Sequence, residues 1–230
     1  MKLTGTRLIR WSGLAATAAG VIFAAIQPIH PLDALASVTT SAWAAIMPVK
    51  LAMCFLFLLG MTGLYARQAD RAGWLGLGGY LLFGLSWALN SAYIFVEGFI
   101  LPRLATTAPE FVEGFLGIFN GHPTGLDLGA LPGLYSLVGI LYLLGSLLFG
   151  IATFRAGILP RWAAGFLAAA GPVAPVAVAL LPHALERYAA VPLGIALACL
   201  GVALWSERRA HASAPQAETG APRLSQIGAD

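Results

Sequence analysis

The chain is predicted to be all-α, a polytopic membrane bundle of six transmembrane helices. Three observations predict it. First, 59% of residues are hydrophobic and 10% charged, against about 45–50% and 25% in soluble domains. Lipid solvates such a surface; a soluble fold of this length could not hide it. Second, six apolar runs each approach the roughly 20 residues that a 30 Å hydrocarbon core requires. Third, nearly all basic residues fall on one side of those runs.

The runs are Trp11–Ile29, Trp43–Ala66, Trp74–Ile100, Leu131–Phe154, Trp162–Leu181 and Tyr188–Trp205. Six crossings put Lys2, Arg7, Arg10, Arg67, Arg71, Arg155, Arg161, Arg208, Arg209 and Arg223 on one side. Arg103 and Arg187 lie on the other, and Lys50 falls within the second run. Short cytoplasmic loops are enriched in Lys and Arg. Both termini are therefore expected in the cytoplasm of a bacterial cell, with the bundle in the inner (plasma) membrane. The aromatic residues Trp11, Trp74 and Trp162, with Tyr65, Phe154 and Trp205, mark the same side at headgroup level.

Taken in order, the first run follows Lys2, Arg7 and Arg10 and precedes Ala34-Leu35-Ala36, a signal-peptidase-like triplet. Its length exceeds that of a signal h-region. Ala16, Gly20 and Ala24 recur every four residues, which suits close helix contact. An uncleaved first helix is expected. The second run holds Pro48 and Lys50. A helix starting near Met47 would place Pro48 in its first turn and Lys50 close to the headgroups. The third run carries the most polar stripe, Ser86, Asn90, Tyr93 and Glu97, at helical spacing.

Between the third and fourth runs, residues 109–120 read PEFVEGFLGIFN, an amphipathic interfacial helix. The fifth run contains Pro172 and Pro175, read as a packing kink. Residues 1–209 then form the membrane domain, and residues 210–230, small and polar, a disordered cytoplasmic tail. The three hairpins share a plan of opening Trp and closing aromatic-then-arginine, which topology rules produce without duplication.

Charges at membrane depth are functional candidates by default. Lys50 and Glu97 are the two here, both in the outer half. Lys50 reads as snorkelling to the interface, as paired with Glu97, or as directly contacting a ligand carboxylate or lipid phosphate. The Asn90–Tyr93–Glu97 stripe reads either as an interhelical hydrogen-bond seam or as one wall of an outward-facing polar pocket. Lys50, Asn90, Tyr93 and Glu97 are the candidate ligand-binding residues.

His30, His122 and His183 lie on outer loops with several carboxylates. These are ligand types for a transition metal, but no short spacing links them. They support an alternative reading, a metal-dependent membrane-embedded hydrolase. No catalytic signature, phosphate loop or dinucleotide fingerprint occurs, so no catalytic residue and no cofactor are expected. Cys54 and Cys199 sit inside apolar runs as packing residues. The net charge of +3 comes from helix ends and not from a basic face, which argues against nucleic acid as a partner. The expected partners are the lipid bilayer and a small-molecule or lipid ligand. The expected function is non-enzymatic binding or transport of that ligand, with a structural or assembly subunit as a further alternative.

RLIRWSGLAATAAGVIF, ASVTTSAW, GLYARQADRAGWLGL, FGIATFRAGILPRWAAG and ALWSERR resemble stretches of a group of hypothetical multi-pass membrane proteins from high-GC bacteria. The likeness spans most of the chain up to Arg209. It implies the six-span fold and carries over no activity and no functional residue.

Overall fold

The computed structural model describes residues 4–122 and 124–212. All its regular elements are helical: α1 (Gly5–Ile26), α2 (Ser41–Phe95), α3 (Leu101–Leu104), α4 (Pro109–Asn120), α5 (Leu131–Ala156), α6 (Arg161–Leu180), α7 (His183–Glu186) and α8 (Val191–Ala212), with short 3₁₀ turns and one π-turn between them. Among the described residues, four helical stretches are long and apolar enough to cross a membrane: Arg7–Ile26, Ser41–Leu104, Leu131–Ala156 and Arg187–Ser206. The outer surface suits membrane embedding. Trp11, Val21, Phe55, Leu59, Leu81, Leu85, Ile140, Phe166 and Val202 are all exposed, whereas soluble monomers rarely show broad apolar surface.

α2 is two helical arms. At Gly73 the backbone takes φ 58°, ψ −160°, a conformation essentially confined to glycine. The chain there folds back on itself. Tyr65 stacks on Tyr80 at 4.8 Å, Phe57 meets Phe83 edge-on at 5.2 Å, and Lys50 meets Glu97 at 2.9 Å. Each pair joins a residue before Gly73 to one after it, and the farther the first member lies from Gly73 the farther the second, so residues 41–72 and 74–95 run antiparallel. Residues 67–72, within the 66–73 turn expected between the second and third apolar runs, are helical: the basic residues Arg67 and Arg71 do not break a helix, and one glycine suffices to reverse it. α2 begins at Ser41, capped by Thr40, whose hydroxyl accepts from the Trp43 N–H at 3.3 Å. Pro48 consequently lies inside the helix and not in a first turn.

Small residues set the helix contacts. A Cβ on Gly13 would fall 2.8 Å from the Gly201 carbonyl oxygen, and one on Gly201 would fall 2.5 Å from that of Gly13. Thus α1 and α8 touch backbone to backbone, as small-residue stripes permit in lipid. Gly60 meets Ala16 in the same manner, joining α2 to α1. Gly79 packs on Phe149 and Gly145 on Phe83, joining the second arm of α2 to α5. Gly171 packs on Leu143, so α6 lies against α5 and runs helical through Pro172 and Pro175.

The core between these helices is aromatic and aliphatic, with Phe57, Phe83, Trp87, Phe149, Leu167 and Leu197 buried. A second cluster forms where α4 lies down: Val112, Phe115 and Leu116 pack on Trp43, Tyr93 and Leu101. Glu110 and Glu113 of α4 are exposed, as its amphipathic pattern requires. α8 continues beyond Arg209 to Ala212, past the expected end of the membrane domain. The remainder of the expected tail, residues 213–230, lies outside the described residues.

Candidate functional site

The site is built where α2 closes its hairpin. Equal arms from Gly73 bring residue 50 beside residue 97. Lys50 Nζ sits 2.9 Å from Glu97 Oε2, with side-chain exposures of 17% and 5%. Of the three sequence readings of Lys50, the geometry is that of a pair. A buried charge pair must satisfy its remaining donors, and Lys50 does so through His30, whose Nε2 lies 2.9 Å from Nζ. The His30 Nδ1–H donates to the Pro31 carbonyl at 2.7 Å, which leaves Nε2 free to accept from the ammonium group. Burial, then the Lys50 charge, pushes the His30 pKa down to about 4. His30 is therefore neutral near pH 7, as this arrangement needs.

The backbone beneath Glu97 is also specialised. Residues Val96–Ile100 form a π-turn, a feature that recurs at functional sites. The Glu97 carbonyl oxygen accepts from the Trp43 indole N–H at 2.9 Å. Gly98 gives Met47 the space to pack there. The loop carrying His30 is pinned twice. Arg187 donates to the His30 carbonyl oxygen at 2.9 Å, and Asn120 at the end of α4 donates to the Asp33 carbonyl oxygen at 3.0 Å.

A cavity of about 300 Å³ opens at this cluster, with His30, Asp33, Lys50, Asn90, Glu97 and Arg187 on its walls. A second cavity of about 540 Å³ lies deeper, walled by Val138, Ile140, Leu143 and Pro175 with little polar surface. Phe23, Trp87, Asn90, Tyr135, Tyr142 and Ala190 line both, so the two chambers share a waist. Both volumes fall in the range of about 300–1,000 Å³ typical of small-molecule sites.

Three of the four residues singled out from sequence, Lys50, Asn90 and Glu97, line the polar chamber. Tyr93 is placed elsewhere. Its ring packs among Phe115, Phe119 and Tyr135, and its hydroxyl donates to the Leu131 carbonyl at 2.6 Å. Tyr93 thus ties α2 to α5 beneath α4. Ile94, one position on, faces the chamber with Asn90 and Glu97. Ser86 donates to the Val138 carbonyl at 3.0 Å and serves as an interhelical bond.

Of the three histidines, His30 has both ring nitrogens engaged and His122 is exposed, while the His183 side chain lies outside the described ones. No group of three His, Cys, Asp or Glu side chains suited to a metal occurs among the described residues.

Sequence reasoning passed over Arg187, Trp87, Tyr135 and Tyr142. Arg187 was legible in principle, since its loop shares a side with His30. The aromatic residues carry no signal that separates a cavity wall from a core. Comparison with family models, curated proteins and solved structures finds no match, so the functional reading rests on this geometry.

Proposed function

We propose that the chain is a non-enzymatic bacterial inner-membrane protein that binds or moves a small or lipid-like ligand through an outward-facing pocket. The observation that carries this reading is the Lys50–Glu97 pair on the wall of a cavity. A buried ion pair is a poor device for stability alone, because desolvation offsets most of its attraction. Its position beside an open chamber gives it something to act on. Charge and hydrogen-bond donors there would orient a polar group, and the apolar chamber below would hold an apolar one.

Six crossings support that placement. At 1.5 Å per residue a straight Ser41–Leu104 helix would measure about 96 Å, roughly three bilayer cores. Its fold at Gly73 supports reading it as two crossings. α6, packed against α5, supplies another. With six crossings both termini share one side, and the distribution of basic residues supports reading that side as cytoplasmic.

The test is ligand-induced thermal stabilisation of the purified protein against a panel of monoacylglycerols, lysophospholipids and small amino carboxylates. A stabilising member should lose about tenfold in affinity with Glu97→Gln, while membrane insertion is retained. An undiminished response in that variant would remove the case for the site. Reporter fusions ahead of residue 1 and after residue 209 should both read as cytoplasmic.

A further inference from the structure

The waist between the two chambers holds four polar side chains: Trp87, Asn90, Tyr135 and Tyr142. All four line both cavities. Trp87 is 3% exposed, and its indole N–H has no hydrogen-bond partner. The Asn90 amide and the Tyr135 and Tyr142 hydroxyls likewise make no hydrogen bond among the described residues. Buried polar groups are nearly always partnered, and an exception calls for an explanation. Trp87 is such an exception, and Asn90, Tyr135 and Tyr142, half-buried beside it, line the same two cavities, which points to a partner for its N–H there. Packing does not supply the explanation. The Trp87 ring is already fixed by Phe57, stacked at 4.1 Å, and by Phe23, edge-on at 5.3 Å, so its N–H is held ready without a bond.

The chemistry of the missing partner follows from the inventory. Indole donates only, phenols donate or accept, and the amide does both. None of the four carries a charge. Above them the chamber wall is of mixed sign, with Lys50 paired to Glu97 and with Arg187, Asp33 and Glu186 beside them, so no single charge dominates it. Below them the walls are Val138, Ile140, Leu143 and Pro175. A partner with an uncharged acceptor at the waist, hydroxyl groups above and a single apolar chain below meets every wall.

We infer that the ligand is a neutral single-chain acyl ester of the monoacylglycerol class, with its ester carbonyl accepting from Trp87 at the waist. This rests on the binding function proposed above and names its substrate class. The acyl chain occupies the apolar chamber. The polyol head reaches the polar chamber, where Lys50, Glu97 and Asn90 bond its hydroxyls. A free fatty acid fits less well, because its carboxylate would sit at an uncharged waist.

The experiment uses the full chain in phosphatidylcholine nanodiscs and radiolabelled monolauroylglycerol, competed by unlabelled ester, by its ether counterpart dodecylglycerol, and by laurate. The ether lacks only the carbonyl. It should compete about tenfold more weakly than the ester, the effect of one hydrogen bond. Trp87→Phe keeps the ring and removes the N–H; it should weaken the ester about tenfold and bring ester and ether to parity. Tyr142→Phe gives a second, independent variant and should weaken the ester by several-fold.

Equal competition by ester and ether, with both variants neutral, overturns the assignment while leaving an amphiphile-binding protein. Laurate as the strongest competitor overturns the neutral head. Absence of saturable monolauroylglycerol binding overturns the ester class outright. The Glu97→Gln thermal panel then decides separately whether the binding function stands with another ligand.

Discussion

The Trp43 indole N–H donates to the Glu97 carbonyl oxygen at 2.9 Å. The residue whose carboxylate meets Lys50 is thus also held through its main chain, from the first turn of the opposite arm. Trp43 is fully buried and stands edge-on to His30 at 6.1 Å. Trp43→Phe keeps the ring and loses the bond. We expect a loss of about 1 kcal/mol in stability and a several-fold loss of ligand affinity, read by thermal unfolding and binding together. A stability loss without any affinity change would separate the bond from the site.

Removing one partner of the central pair should be costlier than removing both. Glu97→Gln strands Lys50, a loss on the order of 3 kcal/mol. Lys50→Met combined with Glu97→Gln should recover most of it. Denaturation midpoints of the two single variants and the double variant check this, and a double variant as unstable as the sum would refute the coupling.

Acid should weaken the fold through His30. Its pKa is pushed down to about 4 from the ordinary 6.5, so between those values the unfolded chain binds more protons than the native one. Stability is then full above pH 6.5 and falls as pH drops through the window, by at most about 1.4 kcal/mol per pH unit. Below about pH 4 this contribution is exhausted. His30→Asn should flatten the curve over the window; an identical pH profile in the variant would exclude His30 as its source.

Two glycines make a matched backbone test. Gly73 and Gly78 both have room for a Cβ, with nothing within 4 Å. Gly73 has φ 58°, whereas Gly78 lies in ordinary helix. Gly73→Ala should destabilise by about 1–3 kcal/mol, and Gly78→Ala should be neutral or stabilise by up to about 1 kcal/mol. Equal effects would mean that the reversal does not depend on glycine.

The α1–α8 seam predicts intolerance of a different kind. Gly201→Leu would drive a side chain into the Gly13 backbone. A loss of several kcal/mol or failure to fold is expected, with Gly201→Ala intermediate. Expression and monodispersity in detergent measure it.

Much of the architecture was legible because lipid enforces simple rules. Apolar length and the small residues Ala16, Gly20 and Ala24 speak directly to helices and their contacts. Glu97 and Lys50 stood out as charges where charge is expensive. What stayed illegible was relational. Nothing in the string says that His30 would spend both nitrogens on Lys50 and Pro31 instead of a metal. Tyr93 and Ile94 are adjacent on the helical wheel, and only the packing of α4 draws the tyrosine away from the chamber. Trp87 and Tyr142 read as core aromatics, because a cavity is defined by what fails to fill it.

The single-residue reversal at Gly73 leaves the two arms of α2 no slack. Lys50 and Glu97 stand almost equidistant from it along the chain, so the arms act as a ruler folded in half. Inserting or deleting one residue on either side would turn one charge by about 100° relative to the other. Substitutions between Lys50 and Glu97 can drift; the count of residues there cannot.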